Sequence, residues 1–142
     1  MDLNTALKEL PHGPEFRFLD EMVSLDPGKS GEAEFVLKGD EAFLKGHFPD
    51  APIMPGVLLT EGIAQLAGVV AQADPDQTPL ADLRLTAMRS VKIFGAVVPG
   101  ERIRFRVAIE GRMGPLLQAK GTAAVGENLL AKAQITLSGR VV

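Results

Sequence analysis

The sequence predicts an α+β protein in which a curled antiparallel sheet of five to six strands wraps around one long central helix. Three observations carry this. A single long apolar helix pattern runs from about Pro55 to Gln72, strand patterns occupy both sides of it, and the last third of the chain is β throughout. A helix with apolar residues on all sides belongs inside something. With only strands available as neighbours, the sheet must curl to bury it.

The elements follow in order. Leu3, Ala6, Leu7 and Leu10 recur at helical spacing after a cap at Asp2, which predicts a short amphipathic helix stopped by Pro11. Residues 17–25 form a first strand before the turn Asp26-Pro27-Gly28-Lys29. Residues 32–37 alternate polar and apolar, as a half-buried strand does. Pro49, Pro52 and Pro55 then impose a stiff irregular loop, because each fixes φ and removes an amide donor. Helix-ending and turn residues fill 73–79. Strands are expected at 84–94, 102–110, 116–125 and 129–137; the run Arg102-Ile-Arg-Phe-Arg-Val-Ala-Ile-Glu110 alternates strictly, and the last two are joined around Gly126-Glu127-Asn128.

Composition narrows the function. The chain has 142 residues, 46% hydrophobic and 23% charged, the size of one ordinary domain with ample core. It has no cysteine, which excludes a disulfide framework, a thiol nucleophile and a cysteine metal site. The net charge of −3 without a Lys/Arg stripe argues against nucleic acid. Glu61 and Gln65 interrupt the apolar run too early for a membrane span. The first residues lack a secretory signal, so a cytoplasmic location is expected.

Residues 46–68 hold the chemistry. They read Gly-His-Phe-Pro-Asp-Ala-Pro-Ile-Met-Pro-Gly-Val-Leu-Leu-Thr-Glu-Gly-Ile-Ala-Gln-Leu-Ala-Gly. A glutamate on a greasy helix needs a reason, because an unpaired carboxylate away from water is costly and favours taking up a proton. The pattern Gly-His-Phe-Pro-x-x-Pro-Ile-Met-Pro-Gly-Val-Leu-x-x-Glu-x-x-Ala-Gln resembles the signature of the FabZ-type 3-hydroxyacyl-[acyl-carrier-protein] dehydratases of type II fatty acid synthesis. Weaker matches flank it in the family's order: Leu10-Pro11-His12 with Phe16 and Asp20, and Val97-Val98-Pro99-Gly100-Glu101. The resemblance implies a single hotdog domain over 1–142.

Dehydrating a 3-hydroxyacyl thioester requires a base for the C2 proton, an acid for the departing C3 hydroxyl, and stabilisation of charge on the thioester oxygen. A lone histidine in a loop is more often structural than catalytic. The motif, and the stiff prolines around it, assign His47 as the base. Glu61 could equally be a helix acid reaching solvent; the motif makes it the acid, although histidine can perform both transfers while Glu61 holds the water. The amide of Gly56 opens the helix where N–H groups are unpaired and the dipole is positive. Gln65, one turn beyond Glu61, is the expected orienter of that carboxylate. Phe48 and Val57 complete the expected substrate contacts, whereas His12, between Pro11 and Gly13, reads as structural.

The resemblance also implies a homodimer, or a trimer of dimers, in which the histidine loop of one subunit faces the helix glutamate of the other. It further implies an acyl tunnel beside the helix. The expected substrate is an acyl thioester carried on the phosphopantetheine of acyl carrier protein or on CoA, with no metal or other cofactor. Several positions depart from the family. Gly13-Pro14-Glu15-Phe16 replaces the usual Arg-Tyr-Pro-Phe, and Phe94-Gly95-Ala96 replaces basic residues and a proline. Gly62 stands where alanine is common. Cations left for an acidic carrier are Lys45, Arg84, Arg89 and Lys92. A hotdog acyl thioesterase and a non-catalytic acyl-binding subunit are the alternatives. The isomerising FabA group carries aspartate at the position of Glu61, so isomerase activity is not expected.

Overall fold

A computed structural model describes residues 3–8, 10, 17–41, 44 and 53–141. It contains helix α1 (Leu3–Lys8), strands β1 (Glu21–Asp26) and β2 (Ser30–Val36), helix α2 (Gly56–Gln72), and strands β3 (Ala81–Ile93), β4 (Arg102–Met113), β5 (Leu116–Val125) and β6 (Asn128–Arg140). The expected Asp2 cap and Pro11 stop of α1 lie outside the described residues. All pairings are antiparallel, and the six strands lie in the order β1-β2-β4-β5-β6-β3. The chain leaves β2 near one edge, crosses the inner face as α2, and returns as β3 on the opposite edge. This is the hotdog arrangement: one sheet curled around one helix.

Side-chain alternation builds the sheet. On β4, Ile103, Phe105 and Val107 are buried, while Arg102, Arg104 and Arg106 point outward. The outward arginines face Glu32 and Glu34 across the β2–β4 register. Arg106 Nε donates to Glu32 Oε1 at 2.6 Å and Arg104 Nη2 to Glu34 Oε2 at 2.7 Å. These hydrogen bonds hold both carboxyls below their ordinary value of 4.5. Helix α2 presses Leu59, Ile63, Leu66 and Val70 into the sheet, each fully buried. It lies so close that a Cβ on Gly121 of β5 would stand 2.6 Å from Ile63 Cγ2, and one on Gly31 of β2 would stand 2.8 Å from Val70 Cγ2.

Several strand boundaries differ from those expected, two of them with a visible cause. The first strand begins at Glu21, because the backbone of Phe18 leaves the sheet and its N–H donates to the side chain of Gln65 at 2.9 Å. Strand β3 begins at Ala81, where it pairs with Arg140 and extends β6 beyond its expected end. The sheet-ward half of α2 accounts for much of the helix's greasiness. Among the described residues, no helix is long and apolar enough to cross a membrane.

Candidate active site

The start of α2 is tied to the exit of β3. Met54 N–H donates to Val97 O at 2.8 Å and Val97 N–H to Met54 O at 3.2 Å, and both residues are fully buried. Pro55 precedes the helix with an extended backbone and no side-chain cap hydrogen bond, so that position does not cap the first-turn amides of α2. Gly56 then packs against Ile93 and Gly95. A Cβ at Gly56 would stand 2.2 Å from Ile93 Cγ2 and 3.0 Å from Gly95 O. The chain's own packing therefore demands glycine at 56, a reason additional to the role expected of its amide.

Glu61 sits one turn later and is partly buried. Gln65 is buried beside it, and its two ends are fixed. Its Oε1 accepts the Phe18 N–H, so Nε2 must turn the other way, where it lies 3.5 Å from Glu61 Oε1 and donates to it. The amide thus connects a backbone group outside the sheet to the carboxyl oxygen. The expected spacing of Glu61 and Gln65 on one face holds; the role of Phe18 was not legible, because only the fold brings residue 18 to the helix.

Both residues line a cavity of about 520 Å³ between α2 and β3. Along the helix its floor continues from Glu61 through Ala64, Gly68, Val69 and Gln72, and its opposite wall is Leu80, Leu83 and Leu85. Leu10 covers part of it from the side of α1. At the far end the Gln72 amide pairs with Leu80 in both directions: Nε2 donates to Leu80 O at 2.6 Å, and Leu80 N–H donates to Oε1 at 3.0 Å. Residues 61, 65, 68 and 72 form one helical stripe, so Gly68 and Gln72 could have been found by extending the Glu61–Gln65 spacing.

The other expected site residues are placed less centrally. Val57 is 62% exposed and does not line the cavity within one chain. His47 and Phe48 lie outside the described residues, as do His12 and Lys45. Arg84, Arg89 and Lys92 are exposed on β3, and Arg84 also borders the far end of the cavity.

A curled sheet around a buried helix, with a carboxyl on that helix lining a largely apolar cavity, defines a hotdog protein with an acid-bearing pocket. A family model described as FabA-like domain matches residues 10–134. The 3-hydroxyacyl-[acyl-carrier-protein] dehydratase FabZ of Dechloromonas aromatica is 32% identical over 142 residues, covering 99% of each chain. That of Geotalea uraniireducens is 36% identical over 137 residues, covering 95% of this chain and 94% of its own. Among solved structures, the dehydratase heterocomplex ApeI:P from Xenorhabdus doucetiae superposes with a TM-score of 0.80 over 99% of this chain and 93% of that one; at 14% identity the likeness is one of fold. The chain belongs to the FabA-like family, among the FabZ relatives.

Proposed function

We infer that this protein removes water from (3R)-3-hydroxyacyl thioesters, carried on acyl carrier protein, to give trans-2-enoyl thioesters in fatty acid biosynthesis. The relatives of nearly equal length bear that activity in their names. The observation that supports it most directly is the carboxyl of Glu61 lining a largely apolar cavity and accepting from Gln65 Nε2. In this reading His47 takes the C2 proton, the electron pair forms the C2–C3 double bond, and the C3–O bond breaks as Glu61 gives its proton to the departing hydroxyl. Water leaves, and one proton passes from His47 back to Glu61 to reset the site. The Gly56 amide, at the positive end of α2, receives the charge that develops on the thioester oxygen. Phe48 and Val57 border the substrate, and no cofactor beyond the substrate's own phosphopantetheine takes part.

The reading includes a homodimer with shared sites. Strand β3 is an open edge along thirteen residues, with Met88, Ile93 and the adjacent Phe94 exposed at 52%, 44% and 57%. An open edge with apolar side chains is what a second copy covers. In this reading that copy covers Val57, which is exposed within one chain, and brings its histidine loop to Glu61.

Purified protein incubated with a 3-hydroxyacyl thioester and followed by mass spectrometry tests this. Water loss, reversible by hydration of the enoyl product and abolished in His47→Ala, is the expected result. Free-acid release independent of His47 would replace the dehydratase with a thioesterase, and no turnover would leave an acyl-binding subunit. Native mass spectrometry should return at least a dimer.

A further inference from the structure

We infer that Gly68, with Leu83 facing it, sets the length of acyl chain this protein accepts; this rests on the acyl-thioester reading above. The argument starts from the three glycines of α2, at 56, 62 and 68. A Cβ at Gly62 would stand 2.4 Å from the Phe105 ring, and Gly56 is closed by Ile93 and Gly95. A Cβ at Gly68 would meet only Leu83 Cδ2, at 3.7 Å, which is an ordinary contact. Glycine inside a helix costs stability relative to alanine. At 56 and 62 packing demands that cost, and at 68 nothing among the described residues does. What the absent side chain leaves is room in the cavity, on the stripe that carries Glu61.

The far wall is rigid, so the room is not readily enlarged. Gln72 holds Leu80 through two hydrogen bonds, and Arg112 Nη2 donates to Thr78 O in the same connection. Asp82 and Arg84 make that end polar, which suits the close of a channel for a hydrocarbon tail. Helix rise places Gly68 about 10 Å and Gln72 about 16 Å beyond Glu61. An extended chain advances about 1.25 Å per carbon, from bond lengths near 1.5 Å at tetrahedral angles. With C3 at Glu61, the tail passes Gly68 near its eleventh carbon and reaches Gln72 near its sixteenth, each to roughly two carbons. The ligand class is therefore an unbranched acyl thioester of medium to long chain, and the Gly68–Leu83 neck divides the shorter members from the longer.

Calorimetric titration of saturated acyl-pantetheine thioesters, from butanoyl to hexadecanoyl, tests this without turnover. In the unaltered protein affinity should climb with length past dodecanoyl. Gly68→Leu should lower the ratio of tetradecanoyl to hexanoyl affinity by at least tenfold, and Leu83→Ala in the same chain should recover part of it. A ratio within twofold of the unaltered protein, or a changed native mass in place of a changed ratio, overturns the inference by assigning Gly68 to packing between copies. Should Gly68→Leu fail to fold, Leu83→Phe narrows the neck from the other wall and must lower the same ratio. Turnover separates the two readings. Length-dependent binding without water loss would remove the dehydratase and leave the neck standing, whereas water loss with no length dependence would do the reverse.

Discussion

The two faces of α2 differ in composition and in what they meet. Leu59, Ile63, Leu66 and Val70 are fully buried against the sheet, while Glu61, Gln65, Gly68 and Gln72 line a cavity. The glycines state the contrast most sharply. Gly62 belongs to the sheet side because Phe105 needs its space, whereas Gly68 belongs to the cavity side, where the space is left open. One face is filled by the fold itself, whereas the other borders open space among the described residues. A residue of one type thus takes its meaning from what lies opposite it.

The comparison breaks first at Glu61. Glu61→Gln keeps the shape and the acceptor for Gln65 but cannot give up a proton as an acid. Dehydration should fall by two to four orders of magnitude, about 3–5 kcal/mol of barrier, with the urea midpoint little changed. Near-normal rates in that variant would remove the proposed acid. On the sheet face the pattern reverses: Leu66→Ala should lower unfolding stability by about 2–5 kcal/mol in urea titration, since the cavity it leaves lies in a close-packed interior. A loss below about 1 kcal/mol would mean that the face is loosely packed.

Smaller effects sharpen the contrast. Gly62→Ala pushes a methyl group into the Phe105 ring and should destabilise by about 1–3 kcal/mol, whereas Gly68→Ala should stabilise by about 0.5–1 kcal/mol. The same substitution on one helix would then have opposite signs, and equal signs by thermal and urea unfolding would erase the distinction. The smallest effect lies outside the helix, at the β2–β4 ladder. Glu32 and Glu34 have lowered folded-state values, so their contribution is present above the ordinary value of 4.5 and is lost as pH falls through the lower folded values. Glu34→Gln should cost a few tenths to about 1 kcal/mol at neutral pH. The difference from the unaltered protein should shrink below the ordinary carboxyl range; a difference that grows on acidification would contradict the ladder.

Much of this was legible beforehand, and the particular residues show why. The strict alternation at 102–110 announced β4, and the interval 116–125 coincides with β5. The helix after Pro55 and the Glu61–Gln65 pairing are carried by short-range spacing. Gly62, in contrast, reads in the sequence only as a departure from a common alanine, and its reason is a ring on β4. Gly56 reads as a place for substrate, and the structure adds Ile93 and Gly95 as neighbours that already require it.

Sequence by itself determined the strand and helix types, the buried character of α2 and the acid on it, because these depend on periodicities of two and 3.6 residues that neighbouring positions express. Tertiary structure alone decided that β3 returns to the edge beside β6, that Phe18 reaches Gln65, and that Gln72 pairs with Leu80 beside a cavity. Those contacts join residues distant along the chain, and a polar or glycine residue carries no mark of which distant partner will satisfy or fill it.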